Sequence, residues 1–182
     1  MINKEKLEHA FKEIIEALGD DPNRAGLIDT PRRASEMYLE LFEGMNYSNE
    51  EVADMFNKSF DEDYLTDSKN VVVVKDIDIF SHCEHHLALM YDMSVDIAYI
   101  PNGKVIGLSK LARISDMVAK RLQLQERIGN DILYIVKRIT NSSDILVRIS
   151  GCHSCVTARG IKKRSKTITV SKIGNINLEV LK

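Results

Sequence analysis

Val71-Val72-Val73-Val74-Lys75-Asp76-Ile77-Asp78-Ile79-Phe80-Ser81-His82-Cys83-Glu84-His85-His86 (71–86) begins as an apolar run, continues with Ile77 and Ile79 in alternation, and so reads as a strand. The end of that strand delivers the chain into a stretch dense in thiol and imidazole groups. On its far side Leu87 to Ile100 is strand-like again, Pro101-Asn102-Gly103 reads as a turn, and Lys104 to Leu108 as a short return strand. Ile145 to Ile149 and Lys166 to Ile173 complete the strand set.

Between these strands lie two amphipathic segments. Ser109 is placed to cap a helix in which Leu111, Ile114, Val118 and Leu122 share one face. A second helix, from Glu126 to Ile139, presents Ile128, Ile132, Ile135, Val136 and Ile139. Two helices between strand pairs predict an α+β domain carrying an antiparallel sheet.

The N-terminal part has a different character. Leu7, Phe11, Ile14, Ile15 and Leu18 recur at helical spacing and Gly19 follows as a stop, so residues 4–18 are expected to form a helix. Thr30 reads as the N-cap of another, with Pro31 at its first position and Met37, Tyr38, Leu41 and Phe42 as its stripe. The acidic, turn-rich segment 46–69 reads as a linker. The expected organisation is an N-terminal helical region and linker over 1–69, followed by a core domain over 70–182.

The 182 residues are 44% hydrophobic, enough for one substantial core. With 25 Lys and Arg against 27 Asp and Glu, the net charge of −2 gives no electrostatic case for nucleic acid or an anionic membrane. From Arg159 onward, however, seven Lys or Arg face one acid, Glu179, a local excess able to serve an anion site. No stretch approaches the roughly 20 apolar residues of a membrane helix, and the N-terminus shows no signal-peptide core. A cytoplasmic protein with reduced thiols is expected, its three cysteines available to metal.

Cys83-Glu84-His85-His86 and Cys152-His153-Ser154-Cys155 together point to zinc. Cys83 and His86 are three apart, so one helical turn would aim both at a common point and leave His85 free. If the strand through Ile149, Gly151, His153 and Cys155 keeps its alternation, His153 and Cys155 share a face and Cys152 takes the other. Zinc on Cys83, His86 and Cys155 would then keep one position for a water whose pKa falls to about 7, the arrangement of a catalytic site. The same spacing also fits a closed structural site using Cys152 as well. His85 and His153, left over beside the metal, favour the catalytic version, with Glu84 placed to orient a ligand. Ser109, Lys110 and Arg113, at the start of a helix, offer free N–H groups and two cations to a phosphate.

With these residues in place the chain resembles type I GTP cyclohydrolase. The likeness runs from Asp21-Pro22-Asn23-Arg24-x-Gly26-Leu27 and Asp29-Thr30-Pro31-x-Arg33, through Cys83-Glu84-His85-His86 and Tyr99 to Ile114, to Gln123-x-Gln125-Glu126-Arg127 and His153-x-Cys155-x-x-x-Arg159-Gly160. It implies the tunnelling fold, in which an antiparallel sheet with two helices on one face closes with other subunits into a β-barrel, usually in a homodecamer with active sites at subunit interfaces. It implies Zn2+ on Cys83, His86 and Cys155, with His85 and His153 as proton-transfer residues. Glu126, with Gln125 beside it, would hold the guanine edge, since a carboxylate accepts from both N–H donors of the pyrimidine ring. Ser109 would contact the ribose, and Lys110, Arg113, Arg159 and Arg33 the triphosphate. The implied reaction opens GTP at C8, releases formate and closes 7,8-dihydroneopterin triphosphate, the first step of folate and pterin biosynthesis. Glu36 stands where the family commonly has a basic residue. That departure leaves room for a divergent paralogue that binds GTP or opens its imidazole ring without completing the pterin.

Overall fold

The computed structural model describes residues 1–61 and 70–181. They fall into two compact units, Met1–Asn46 and Tyr47–Lys182. The division comes earlier than the 69/70 boundary expected from the sequence. The acidic segment is not all linker: Asn49–Met55 forms a helix whose Val52, Ala53 and Phe56 enter the core of the second unit. Residues 62–69 of that segment lie outside the described residues.

The first unit is helical. Helix α1 (Lys4–Ala17) starts at Asn3, whose side chain accepts from the Lys6 N–H, and α2 (Thr30–Leu41) packs against it. The N-cap of α2 is Asp29 rather than Thr30, which is already inside the first turn ahead of Pro31. Phe11 meets Tyr38 edge to face across the two helices at a centroid distance of 4.8 Å, and Tyr38 meets Phe42 at a tilt at 5.1 Å.

The second unit opens with α3 (Asn49–Met55), where Ser48 and Glu51 close a reciprocal capping pair. Strand β1 (Ser59–Asp61) follows, then β2 (Val72–Cys83), β3 (Ala88–Tyr99) and β4 (Lys104–Ile106). Helix α4 (Leu108–Ala119), β5 (Leu122–Gln123), α5 (Gln125–Thr140), β6 (Ile145–His153), α6 (Ser154–Thr157) and β7 (Thr167–Ile173) complete it. Five strands form one sheet in the order β5-β2-β3-β6-β7, antiparallel except for the short β5–β2 pairing. The α+β class with an antiparallel sheet is the one expected.

The Lys104 strand does not return along β3. It pairs instead with β1, Ser59 opposite Ile106 and Asp61 opposite Lys104, in a separate two-stranded sheet. Tyr99 secures the turn between them: its hydroxyl, fully buried, accepts the Ile106 N–H at 3.2 Å. Helix α4 is entered through Gly107, the N-cap, so Ser109 lies within the first turn and not at its cap.

Helices α4 and α5 cover one face of the sheet. Leu111, Ile114 and Val118 from α4 and Ile128, Ile132, Ile135 and Val136 from α5 are fully buried against Val95, Ile97, Val147 and Ile149. Burial of each such side chain contributes roughly 1.5–3 kcal/mol, so this layer is the main source of the unit's stability. Arg121 and Asp131 bind within it, joining α3 to α5: the Arg121 guanidinium donates to Asn49, Asp131 and the Tyr47 carbonyl, and Asn49 donates to Asp131. None of the described helices is long and apolar enough to cross a membrane.

Candidate metal and nucleotide site

The β2–β3 hairpin builds the first half of the site. Cys83 pairs with Ala88, so Glu84 to Leu87 form the connecting turn, with Leu87 in the left-handed region at φ 51°. Cys83 and His86 therefore converge across a turn at a strand end, not along a helix. Cys83 is buried while His85 and His86 are exposed. The His86 N–H donates to the Cys83 carbonyl at 3.4 Å, and His85 Nδ1 lies 3.6 Å from the Cys83 sulfur.

The second half comes from the end of β6. The strand stops at His153, and Ser154–Thr157 turns into the short helix α6. Strand alternation therefore does not reach Cys155, which arrives from the first turn of that helix. The ligand atoms of Cys83, His86 and Cys155 all lie within 4.8 Å of one another. Cys152 is buried on β6 opposite Tyr91 and, among the described residues, does not join this group.

The donor set fits a divalent cation. Burial pushes the Cys155 thiol above its ordinary value, and the neighbouring Cys83 pushes it further. Two sulfurs this close cannot both ionise cheaply without positive charge between them, and thiolates with an imidazole are the ligands zinc prefers.

Several of the other residues read from the sequence lie on the same strand end and the turns beside it. His153 ends β6, half-buried, its ring Nε2 2.9 Å from Gln125 Oε1. Burial holds the His153 pKa below its ordinary value, while the Glu126 carboxylate acts in the opposite sense. Glu126 itself is exposed in the first turn of α5. Gln125 is 1% exposed, with its amide nitrogen donating to the carbonyls of Ile149 and Thr167, both at 3.1 Å. Its side chain faces inward, the amide nitrogen on those two carbonyls and the amide oxygen on His153. Arg159, in the turn after α6, donates from Nη1 to His86 Nε2 at 2.9 Å.

Glu84 does not orient a histidine. It accepts two bonds from Arg127, at 2.6 and 3.2 Å, an ion pair that holds its carboxyl below the ordinary range. Arg127 closes the Gln123-x-Gln125-Glu126-Arg127 motif, but nothing in that motif marks it as the partner of Glu84. Ser109, Lys110 and Arg113 share the first turns of α4, and among the described residues they make no hydrogen bond or ion pair with the cysteine–histidine group. Arg33 is exposed on α2 in the first unit. Glu36 is neutralised locally by Lys4 at 2.9 Å and Arg32 at 3.0 Å, with Lys4 the main cause of its lowered pKa.

Comparison with known proteins bears on this arrangement. The GTP cyclohydrolase I family model matches residues 7–179. The chain is 56% identical over 181 residues to GTP cyclohydrolase 1 of Clostridium botulinum strain Loch Maree, covering 98% of this chain and 92% of that protein. It is 58% identical over 163 residues to GTP cyclohydrolase 1 of Clostridium acetobutylicum, covering 89% and 84%. For the protein of that name from Clostridium beijerinckii the identity is 58% over 172 residues, covering 93% and 87%. Among solved structures, the apo crystal structure of the archaeosine synthase QueF-Like matches with a TM-score of 0.48 and 22% identity, over 60% of this chain and 99% of that one.

Proposed function

Because the chain belongs to the GTP cyclohydrolase I family, we propose that it hydrolyses GTP at C8, releasing formate and forming 7,8-dihydroneopterin triphosphate for folate and pterin biosynthesis. The observation that carries this reading is the convergence of Cys83, His86 and Cys155 at the end of the strand that bears His153.

The metal is Zn2+, held by Cys83, His86 and Cys155. When bound, it would lower the pKa of a water to about 7 and so supply the nucleophile. His85 and His153 move protons: one imidazole protonates N7 of the purine, which makes C8 electrophilic, and a second transfer accompanies opening of the ring. Glu126 accepts from the N–H donors of the guanine edge, where its exposed carboxylate at a helix start is free to do so. Ser109 contacts the ribose. Lys110, Arg113, Arg159 and Arg33 neutralise the triphosphate.

The protein works as a homo-oligomer, a decamer with sites at subunit interfaces, in the cytoplasm, where its three thiols stay reduced. The open edge of the sheet supports this. Among the described residues strand β7 pairs with β6 alone, leaving its other edge open for pairing with another subunit in a closed barrel, and Ile168 and Val170 are exposed on one of its faces.

His153→Ala is expected to abolish dihydroneopterin triphosphate formation while zinc content, measured by atomic absorption, stays unchanged. An unaltered rate refutes the role given to His153.

A further inference from the structure

Gln125 sits fully inside the second unit, at the start of α5, among the ends of β6 and β7. Its amide nitrogen donates to Ile149 O and Thr167 O at 3.1 Å, with Thr169 Oγ1 further off at 3.4 Å. Carbonyl oxygens only accept, so this end of the side chain must be the nitrogen, and the amide has one orientation. The oxygen end therefore points at His153 Nε2, 2.9 Å away. An amide oxygen likewise only accepts, so Nε2 must carry the hydrogen. Gly151 keeps the space open: a Cβ there would lie 3.5 Å from Gln125 Oε1 and 2.8 Å from Met93 Cγ.

Two backbone carbonyls thus determine, through one glutamine, which nitrogen of a histidine is protonated. We infer that Gln125 is a positioning residue that holds His153 as its Nε2–H tautomer and leaves Nδ1 as the nitrogen presented to the substrate. The inference rests on the reading of His153 as a proton-transfer residue, and it takes the Gln125 side chain away from the guanine edge. A histidine free to flip or change tautomer would present the wrong nitrogen for part of the time, which lowers turnover without weakening nucleotide binding.

Two measurements test this. Neutron diffraction from the zinc-loaded wild-type protein is expected to show deuterium on His153 Nε2, directed at Gln125 Oε1; a bare Nε2 overturns the inference. Gln125→Met, which keeps the length of the side chain and removes both ends of the relay, is expected to lower kcat for GTP about a hundredfold and to leave KM nearly unchanged. A raised KM with kcat intact overturns the inference and returns the side chain to the guanine edge. The neutron result is read without turnover and on the unmodified chain. It therefore decides the tautomer separately from whether GTP is the substrate, and it stands even if the methionine variant fails to fold.

Discussion

Glu84 and Arg127 are joined by two hydrogen bonds, of 2.6 and 3.2 Å, that tie the turn bearing His86 to the helix bearing Glu126. The same turn is anchored from the other side, where the Glu84 N–H donates to the Gln123 carbonyl at 3.0 Å. The pair is exposed and contributes little to stability. Its effect is geometric, because it sets where one proposed metal ligand lies relative to the residue proposed to hold the purine.

Arg127→Ala should therefore leave the melting temperature almost unmoved and weaken zinc binding about tenfold, as loss of a support behind a ligand does. Competition against a chelator of known affinity measures this. Unchanged zinc affinity would show that the turn holds its shape without the pair.

The two cysteines of the Cys152-x-x-Cys155 segment should separate cleanly. Cys155→Ser is expected to lose stoichiometric zinc, and Cys152→Ser, altered at a buried position outside the ligand group, to retain it. Metal content per subunit after dialysis decides the matter. Zinc lost from both variants would restore the closed structural site.

Arg121 and Asp131 are mostly buried, with side-chain exposures of 13% and 16%. Arg121→Ala leaves the Asp131 charge without its cation inside the layer that joins α3 to α5. A loss of about 3 kcal/mol in urea-induced unfolding is expected. A loss near zero would mean that water already reaches Asp131.

In the first unit Asp20 accepts two bonds from Arg24, at 2.7 and 2.8 Å, and its pKa is lowered from 3.8 to about 2, the Arg24 hydrogen bond being the largest cause. A depressed carboxylate stabilises the fold above its unfolded pKa. That contribution is therefore complete above 3.8 and is lost as pH falls through about 2. An NMR titration of the Asp20 carboxyl should show an inflection near the lower value, and one near 3.8 would contradict the pairing.

Much of this architecture was legible in the chain because its signals are local. The alternation of Ile77 and Ile79, the stripe from Ile128 to Ile139 and the Pro-Asn-Gly turn each report on their own neighbourhood, and β2, α5 and the turn stand where they were expected. What escaped depends on partners distant in sequence. Lys104–Ile106 has the look of a hairpin return, yet it pairs with Ser59–Asp61, a segment whose acidic composition conceals a strand. Leu122–Gln123 is too short to show a period and is a strand only because β2 lies beside it. The metal group was found for partly mistaken reasons: Cys83 and His86 meet across a hairpin turn and Cys155 comes from a helix, but residue type and spacing sufficed. Gln125 illustrates the opposite case, since a glutamine opening a helix gives no hint that its amide is consumed by carbonyls of β6 and β7.

The most direct test of the account is product analysis after zinc-loaded protein is incubated with GTP. Stoichiometric formate together with 7,8-dihydroneopterin triphosphate, detected by the fluorescence of its oxidised pterin, is the predicted result. Recovery of intact GTP, or of a ring-opened nucleotide without pterin, would contradict it.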